Sequence, residues 1–193
     1  MPELIKNCPA TRLRKGPNIS ITLCRSEFKT GIAMPQIISI VGRSQSGKTT
    51  LIEKLIPELD KRGYRIGTIK HAHHGFDIDK SGKDSWRHWH AGADAVVVAS
   101  PGKVAMVKKD DRESPESLLE YFEDMDLVIT EGFKREKMPK VEVLRAARHN
   151  ELICLSDRHL IAIVTDVDIN PSVPKFGLEE IKELADLIED TFL

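Results

Sequence analysis

Residues 42–50 read GRSQSGKTT, with two glycines five positions apart and the second followed directly by a lysine and a threonine. This spacing is typical of a loop whose backbone N–H groups surround phosphate oxygens. The stretch lies between a short apolar run, 37–41, and a helical pattern, 48–62, and this context distinguishes a working phosphate loop from a chance match. The predicted phosphate-binding residues are Gly42, Arg43, Ser44, Gln45, Ser46, Gly47, Lys48, Thr49 and Thr50.

Two side chains of this loop carry specific chemistry, and a third must come from another strand. Lys48 is expected to reach the β- and γ-phosphates, and the Thr49 hydroxyl is expected to bind Mg²⁺. An acid for the metal's water shell usually lies at the end of a neighbouring strand, where Glu131 follows the apolar run 127–130. Asp126, at the other end of that run, is a poor candidate. The chain is therefore expected to bind a nucleoside phosphate with Mg²⁺, and the motif leaves the base and the reaction open.

Apolar runs and helical patterns alternate along the rest of the chain. The predicted strands are 37–41, 64–70, 95–99, 104–107, 126–130, 141–144 and 160–165, and the predicted helices are 48–62, 81–91, one that opens at Ser114-Pro115-Glu116, and a C-terminal one marked by Leu178, Ile181, Leu184, Leu187 and Ile188. Pro101-Gly102 joins two of the runs and predicts a hairpin. The pattern predicts an α/β domain over 35–193, with three layers and helices on both faces of a mostly parallel sheet.

The stretch KHAHHGFDID, residues 70–79, follows the second predicted strand, at the edge where parallel sheets bind ligands. We favour a loop in which Asp79, or else Asp77, positions Mg²⁺ or the attacking water. The cluster could instead bind an anionic substrate, or its histidines could bind a transition metal, although adjacent histidines rarely converge on one ion without further ligands. A solvated polar loop is the plain alternative. The basic side chains of this stretch are Lys70, His71, His73 and His74.

The helix that follows carries two basic residues on one face. It is predicted to begin with Ser81 as its N-cap and Asp84 three residues later. Lys83 and Arg87 are four positions apart, so their side chains are neighbours and could hold a second phosphate. A charged face in contact with solvent is the alternative.

Composition limits the partners of the chain. Of its 193 residues 31% are charged and the net charge is -1, so no overall field attracts nucleic acid or an anionic membrane. Cys8, Cys24 and Cys154 are sparse and far apart, which favours a reducing cytoplasm. No apolar run approaches the roughly 18 residues of a membrane span. Residues 1–34 hold six Lys/Arg and two Glu without clear periodicity. They are expected to be a poorly ordered extension, or to precede a translation start at Met34.

Further motifs resemble the molybdopterin-guanine dinucleotide biosynthesis protein B family, the GTP-binding adaptor of molybdenum cofactor maturation. These motifs are TIKHAHHGFDIDKSGKDSWRHWHAGAD, DLVITEGFKREKMPKVEV, SD and AIVTD. The resemblance runs from about residue 36 to residue 170. General similarity among phosphate-loop proteins explains it poorly, because many matches lie elsewhere: His71, His73-His74, Asp79, Gly82-Lys83-Asp84-Ser85, Ala91-Gly92-Ala93, Glu131-Gly132-Phe133-Lys134 and Pro139-Lys140.

The resemblance implies a small GTPase of the phosphate-loop superfamily with weak intrinsic turnover and with GTP and Mg²⁺ as ligands. It implies a homodimer that acts beside the guanylyltransferase joining GMP to molybdopterin. Residues 70–87 would face the γ-phosphate and, in one version, the phosphate of molybdopterin itself. The hairpin at 95–107 would pair across the dimer and cover an otherwise exposed sheet edge.

Two features depart from the expected pattern. Position 43 is Arg, whereas some relatives in the wider superfamily carry a lysine near the loop start that reaches across a dimer, so activation in trans is not expected. A clear Asn-Lys-x-Asp motif for guanine recognition is also missing. Asp166, at the end of an apolar run, is the best substitute for the guanine-binding carboxylate. Its carboxylate could accept the N1–H and 2-amino donors of guanine, which adenine cannot match. Asp168 is the reserve, and an ordinary strand-end turn is the alternative.

Three other functions stay open at the level of sequence. A small-molecule kinase on the same fold would use 70–87 as a lid or would find its acceptor base there. A metal-delivery GTPase would use the histidines. In a scaffold without catalysis, the nucleotide would only stabilise the dimer.

Overall fold

A computed structural model describes residues 34–72, 75–149 and 151–193, in which the strands form a six-stranded sheet and a separate hairpin. The strands are β1 (Gln36–Val41), β2 (Ile66–Lys70), β3 (Ala95–Ser100), β4 (Lys103–Lys108), β5 (Leu127–Glu131), β6 (Lys140–Leu144), β7 (Leu160–Thr165) and β8 (Lys175–Phe176). The helices are α1 (Lys48–Lys61), α2 (Asp84–His90), a 3-10 helix (Pro115–Phe122) and α3 (Ile181–Phe192). Apart from Met34, the predicted extension at 1–34 lies outside the described residues and stays a prediction.

The large sheet has the strand order β2-β5-β1-β6-β7-β8, and every neighbouring pair is parallel. The predicted mostly parallel sheet is therefore confirmed. Because β5 and β6 lie on opposite sides of β1, the chain order reverses at the carboxyl end of β1. In open parallel sheets this is the place where ligands bind. The phosphate loop follows β1 at that point.

Helices α1 and α3 pack together on one face of the sheet. Leu51, Leu55 and Leu59 repeat along α1 and are buried against strand residues that include Ile38 and Ile40. Each such side chain contributes about 1.5–3 kcal/mol when it is fully removed from water. This packing fixes the start of α1, and therefore the phosphate loop, against the end of β1.

The second face is covered by the 3-10 helix and by loop segments. Ser114 caps this helix as predicted, because its hydroxyl accepts a hydrogen bond from the Ser117 backbone N–H at 3.3 Å. The Phe122 ring packs directly on Gly67 of β2, where a Cβ atom would clash with the ring. A second apolar cluster, with Val41 and Cys154 among its members, lies nearer to β7. Three layers form as predicted, although the helix of the second face is of the 3-10 type.

The predicted start of α2 is wrong. Ser81 does not cap the helix, which begins at Asp84 after Lys83 in an extended conformation. Gly82 explains the difference, because its backbone is left-handed with φ +84° and cannot continue a right-handed helix. Strand β8 was also missed, since two residues are too few to produce a pattern.

Strands β3 and β4 form the predicted antiparallel hairpin. Ala95 pairs with Lys108 at its open end, and Ser100 pairs with Lys103 next to the turn. Its apolar side chains are largely in contact with solvent, with Val97 57% and Val104 68% exposed. An isolated two-stranded hairpin is at best marginally stable in water. None of the helices in the described part of the chain has the length and apolar composition that a membrane span requires.

Candidate functional site

The phosphate loop is built around a glycine at which any side chain would be strained and would clash with the backbone. Gly42 has φ +142°, and a Cβ at this position would lie 2.5 Å from the carbonyl oxygen of Val143 and 2.7 Å from Ser46 Oγ. Gln45 and Gly47 also have positive φ, of 61° and 99°. These conformations turn the chain sharply between β1 and α1. The sequence-predicted loop therefore lies where its motif placed it.

Lys48 lies across the loop, and its Nζ donates hydrogen bonds to the carbonyl oxygens of Gly42 (3.1 Å) and Arg43 (2.8 Å). Burial lowers the pKa of the Lys48 ammonium, the Glu131 carboxylate opposes this, and the charges of Lys70 and Lys134 lower the pKa further. Lys48 is thus held at the loop among other charged groups.

Thr49 and Glu131 meet at the centre of the site. The Thr49 hydroxyl lies 3.1 Å from Glu131 Oε1 and 3.0 Å from Oε2. Glu131 ends β5, whose register places it opposite Ile40 of β1 and opposite Lys70 of β2. Lys70 Nζ lies 3.6 Å from Glu131 Oε2. Sequence analysis paired Thr49 with Glu131 from strand-end position alone, and the structure brings them together.

The outer side of the phosphate loop is held by the segment that follows β6. His149 Nε2 lies 2.9 Å from the Ser44 carbonyl oxygen, which accepts its hydrogen bond. The Arg43 guanidinium forms a 3.4 Å ion pair with Glu151. Sequence analysis missed His149 and Glu151, because neither lies in a motif and both are more than a hundred residues from their partners. Ser46 Oγ is buried and has no hydrogen-bond partner among the described residues.

Strand β6 carries two buried charged side chains that anchor the next part of this segment. Glu142 accepts hydrogen bonds from the backbone N–H groups of Ile153 (2.6 Å) and Cys154 (2.9 Å). Burial raises the pKa of Glu142, while these two N–H groups and the Arg43 charge oppose the rise. Glu142 therefore fixes the chain beyond β6 beside the phosphate loop.

Lys140 is the second buried charge of β6, and its Nζ donates to Asp157 Oδ2 at 2.6 Å. Burial of Asp157 raises its pKa, but the hydrogen bonds from Lys140 and from the backbone and ring of His159 outweigh this, and the pKa falls to about 2. Lys140 and the Ser-Asp pair belong to the motifs of the family resemblance. The structure gives them a structural role in holding 151–159 against β6.

The segment after β2 carries the residues whose roles sequence analysis left open. His71 stacks on Phe133 with ring centroids 4.7 Å apart. Asp79 Oδ1 accepts a hydrogen bond from the Lys80 backbone N–H at 2.8 Å, so its role toward metal or water stays a prediction. His73 and His74 lie outside the described residues. No group of three or more His, Cys, Asp or Glu suited to a metal ion occurs in the described ranges.

The predicted second phosphate site on α2 also stays a prediction. Lys83 precedes the helix as its N-cap residue and is exposed. The Arg87 guanidinium lies 3.9 Å from the Asp84 carboxylate, with both side chains largely in contact with solvent. Exposed basic side chains of this kind are equally expected for the alternative, a charged helix face in contact with solvent.

Asp166 lies at the carboxyl end of β7, on the side of β1 away from Glu131. Its Oδ1 accepts a hydrogen bond from the Ala146 backbone N–H at 2.7 Å, which ties the ends of β6 and β7 together. A small cavity of about 50 Å³ lies nearby between α1 and these strands, with Thr50, Arg145 and Leu178 in its wall. Asp166 as the guanine contact stays a prediction.

Comparison with known proteins places these features in a family. The family model for molybdopterin guanine dinucleotide synthesis protein B, MobB, matches residues 37–166. The molybdopterin-guanine dinucleotide biosynthesis adapter protein of Escherichia coli is 38% identical over 164 residues, which cover 82% of this chain and 94% of that protein. The Haemophilus influenzae protein of the same name is 38% identical over 157 residues, or 80% of this chain and 88% of that protein.

Solved structures agree with the sequence matches. A crystal structure of molybdopterin-guanine biosynthesis protein B superposes with a TM-score of 0.64 at 33% identity, covering 79% of this chain and 97% of that one. The crystal structure of Bacillus subtilis MobB gives a TM-score of 0.65 at 26% identity, covering 82% and 98%. With its phosphate loop, the Thr49–Glu131 pair and the six-stranded parallel sheet, this chain belongs to the molybdopterin guanine dinucleotide synthesis protein B family.

Proposed function

We propose that this chain is a GTP-binding adapter that assists the attachment of GMP to molybdopterin in molybdenum cofactor biosynthesis. The observation that carries the proposal is the contact between Thr49 of the phosphate loop and Glu131 of β5, at 3.0–3.1 Å. Relatives that match most of the chain bear the name of molybdopterin-guanine dinucleotide biosynthesis adapter. We place the activity in the cytoplasm, in keeping with the sparse, widely spaced cysteines.

The proposed ligand is GTP with Mg²⁺. The Thr49 hydroxyl and the Glu131 carboxylate are hard oxygen groups of the kind that Mg²⁺ prefers beside phosphates and water. The metal would neutralise charge on the β- and γ-phosphates. Lys48 would exchange its hydrogen bonds to the loop carbonyls for phosphate oxygens, and the loop's backbone N–H groups would hold the rest.

Hydrolysis is proposed to be slow. Glu131 is already engaged by Thr49 and Lys70, so it is poorly placed to take a proton from water. Of the two carboxylates in residues 70–79, Asp77 and Asp79, we favour Asp79. Its Oδ1 accepts a hydrogen bond from the Lys80 backbone N–H. A bound state that lasts for many seconds suits an adapter whose partner must recognise it.

The proposed partners are a second copy of the chain and the guanylyltransferase that joins GMP to molybdopterin. The hairpin supports the first, because it forms a two-stranded sheet separate from the main one and exposes four apolar side chains, those of Val97, Val98, Val104 and Met106. Pairing with a second copy would bury these side chains and cover open strand edges. Direct binding of molybdopterin is a further proposal, for which the basic residues around 70–87 are the candidates.

The adapter role is tested by adding the protein to a purified guanylyltransferase with molybdopterin and GTP. We expect molybdopterin guanine dinucleotide to form faster with the wild type, and we expect Lys48→Ala to remove the stimulation. Lys61→Ala, a lysine at the far end of the same helix, is the matched control and should stimulate like the wild type. Equal rates with wild type, Lys48→Ala and no added protein would contradict the proposal.

A further inference from the structure

A left-handed turn follows Glu131 and redirects the chain beside the phosphate loop. Gly132 and Phe133 have φ of +106° and +51°, and Phe133 is one of only two non-glycine residues with positive φ in the described part of the chain. Such a conformation in a bulky residue costs free energy and persists only where surrounding contacts impose it. The turn is therefore held in place by its neighbours.

Four contacts hold this turn. The Gly132 N–H donates to the Ile40 carbonyl oxygen at 3.1 Å, and the Ser39 hydroxyl donates to the Gly132 carbonyl oxygen at 2.7 Å. The Phe133 ring stacks on His71, and the Phe133 carbonyl oxygen accepts from the Glu136 N–H at 3.1 Å. Since Ser39 and Ile40 belong to β1, the turn is tied to the strand that leads into the phosphate loop.

The residue presented by this turn is Lys134. Its side chain is exposed and follows Phe133, whose ring stacks on His71, just beyond the end of β5 at Glu131. In keeping with this position, the positive charges of Lys70 and Lys134 both lower the pKa of Lys48. Glu131 is the carboxylate that Thr49 and Lys70 contact at the centre of this group. Lys48, Lys70 and Lys134 thus carry three positive charges near the single negative charge of Glu131. The excess positive charge would be neutralised by an anion with several charges.

We infer that Lys134 contacts the γ-phosphate and makes the site prefer a nucleoside triphosphate to a diphosphate. Glu131 and Lys70 lie on the β5–β2 side of the loop, where the metal-bound end of the nucleotide belongs in the proposed function, on which this inference rests. Lys134 follows Glu131 by three residues on the same side. The negative charge of the γ-phosphate, which Lys134 would contact, is present in GTP and absent from GDP.

The turn gives Lys134 a role that its basic neighbours lack. Arg135 and Lys137 are also exposed and lie in the same loop, but they are further along the chain from Glu131 than Lys134 is. They are matched controls, because each can be truncated with the same loss of one positive charge. A general attraction of the loop for anions would affect all three variants alike, whereas a specific contact would affect Lys134 alone.

The test is the affinity of Lys134→Ala for GTP and for GDP, each with Mg²⁺, by isothermal titration calorimetry. We expect GTP binding to weaken about tenfold or more, as for loss of a charged hydrogen bond, and GDP binding to change less than about twofold. Arg135→Ala and Lys137→Ala should bind both nucleotides like the wild type. Unchanged GDP affinity also shows that the variant is folded.

Equal weakening for GTP and GDP, or the same loss in all three variants, would overturn the inference and leave the proposed function standing. A wild type that binds neither nucleotide with Mg²⁺ would overturn both. Lys134→Arg adds a further readout, since it keeps the charge and should retain most of the preference for GTP. If Lys134→Arg behaves like Lys134→Ala while GDP affinity also falls, the side chain supports the loop and does not contact the γ-phosphate.

Discussion

The phosphate loop and the β3–β4 hairpin each turn on a glycine with positive φ, and their surroundings are opposite. At Gly42 a Cβ would lie 2.5 Å from a backbone carbonyl, whereas at Gly102 it would meet nothing within 4 Å. The loop is fixed by contacts within the chain, from β1, α1 and the segment after β6. The hairpin instead leaves apolar side chains in solvent. The comparison separates a loop that is held by contacts within the chain from an apolar surface that is open to solvent, which we propose a second copy covers.

The largest expected difference comes from alanine at the two glycines. Gly42→Ala combines a left-handed conformation with a clash against backbone, so we expect about 3 kcal/mol or more of lost stability and loss of nucleotide binding. Gly102→Ala faces only the conformational cost, about 1 kcal/mol. Urea denaturation measures both. Equal losses of stability in the two variants would show that packing around Gly42 does not determine the conformation of the phosphate loop.

The next prediction concerns the exposed valines. In Val97→Asp/Val104→Asp, charges replace apolar contacts that we propose are buried against a second copy, so the dimer should weaken by at least about 100-fold. Sedimentation equilibrium measures the change. Lys103→Asp, at the start of β4, is the control for added negative charge. GTP affinity should stay within about twofold, and a wild type that is monomeric at micromolar concentration would contradict the dimer.

The pH dependence of stability tests the packing of the segment after β6, through Asp157 and its partner Lys140. Its pKa is about 2 in the folded chain and 3.8 ordinarily, so the folded state binds the proton less readily than the unfolded state. The stabilisation, up to about 2 kcal/mol, is present above pH ~4 and is lost as the pH falls toward 2. Asp157→Asn should lack this component in urea titrations at successive pH values. A variant with the same acid dependence as the wild type would assign the loss to other carboxylates.

The smallest effect is expected from single hydrogen bonds, one at the phosphate loop and one on α2. His149→Ala removes the contact with Ser44 O and should weaken GTP binding by about three- to tenfold, since one hydrogen bond contributes about 1 kcal/mol. His90→Ala also removes a histidine contact with a backbone carbonyl, that of Trp86 at 2.8 Å, but on α2. It should leave affinity unchanged in the same titration. A comparable loss in both variants would argue against a positioning role for His149.

Local patterns predicted much of the fold and the centre of the site. The phosphate loop needs a fixed spacing of residues close in sequence, and Glu131 was found because an apolar run ends there. The hairpin at 95–107 was predicted from the Pro101-Gly102 turn between two apolar runs. Each of these features depends on a few neighbouring residues, so a single sequence contains the necessary information.

Contacts between distant segments were not predictable in the same way. Nothing near His149 or Glu151 indicates that they contact the phosphate loop, and Glu142 was read only as part of an apolar strand. The predicted N-cap at Ser81 failed because the following glycine adopts a left-handed conformation. In each case the outcome depends on the three-dimensional path of the chain, which local propensity does not determine.

The first measurement is the Mg²⁺-dependent affinity for GTP and ATP side by side, in wild type and Asp166→Asn. Asparagine can still accept the hydrogen bond from Ala146 N–H, so this variant separates guanine recognition from support of the loop. We predict that GTP binds wild type about 100-fold more tightly than ATP, about 2.7 kcal/mol, and that Asp166→Asn removes this preference. ATP binding as tight as GTP binding in the wild type would contradict the assignment of this site to GTP.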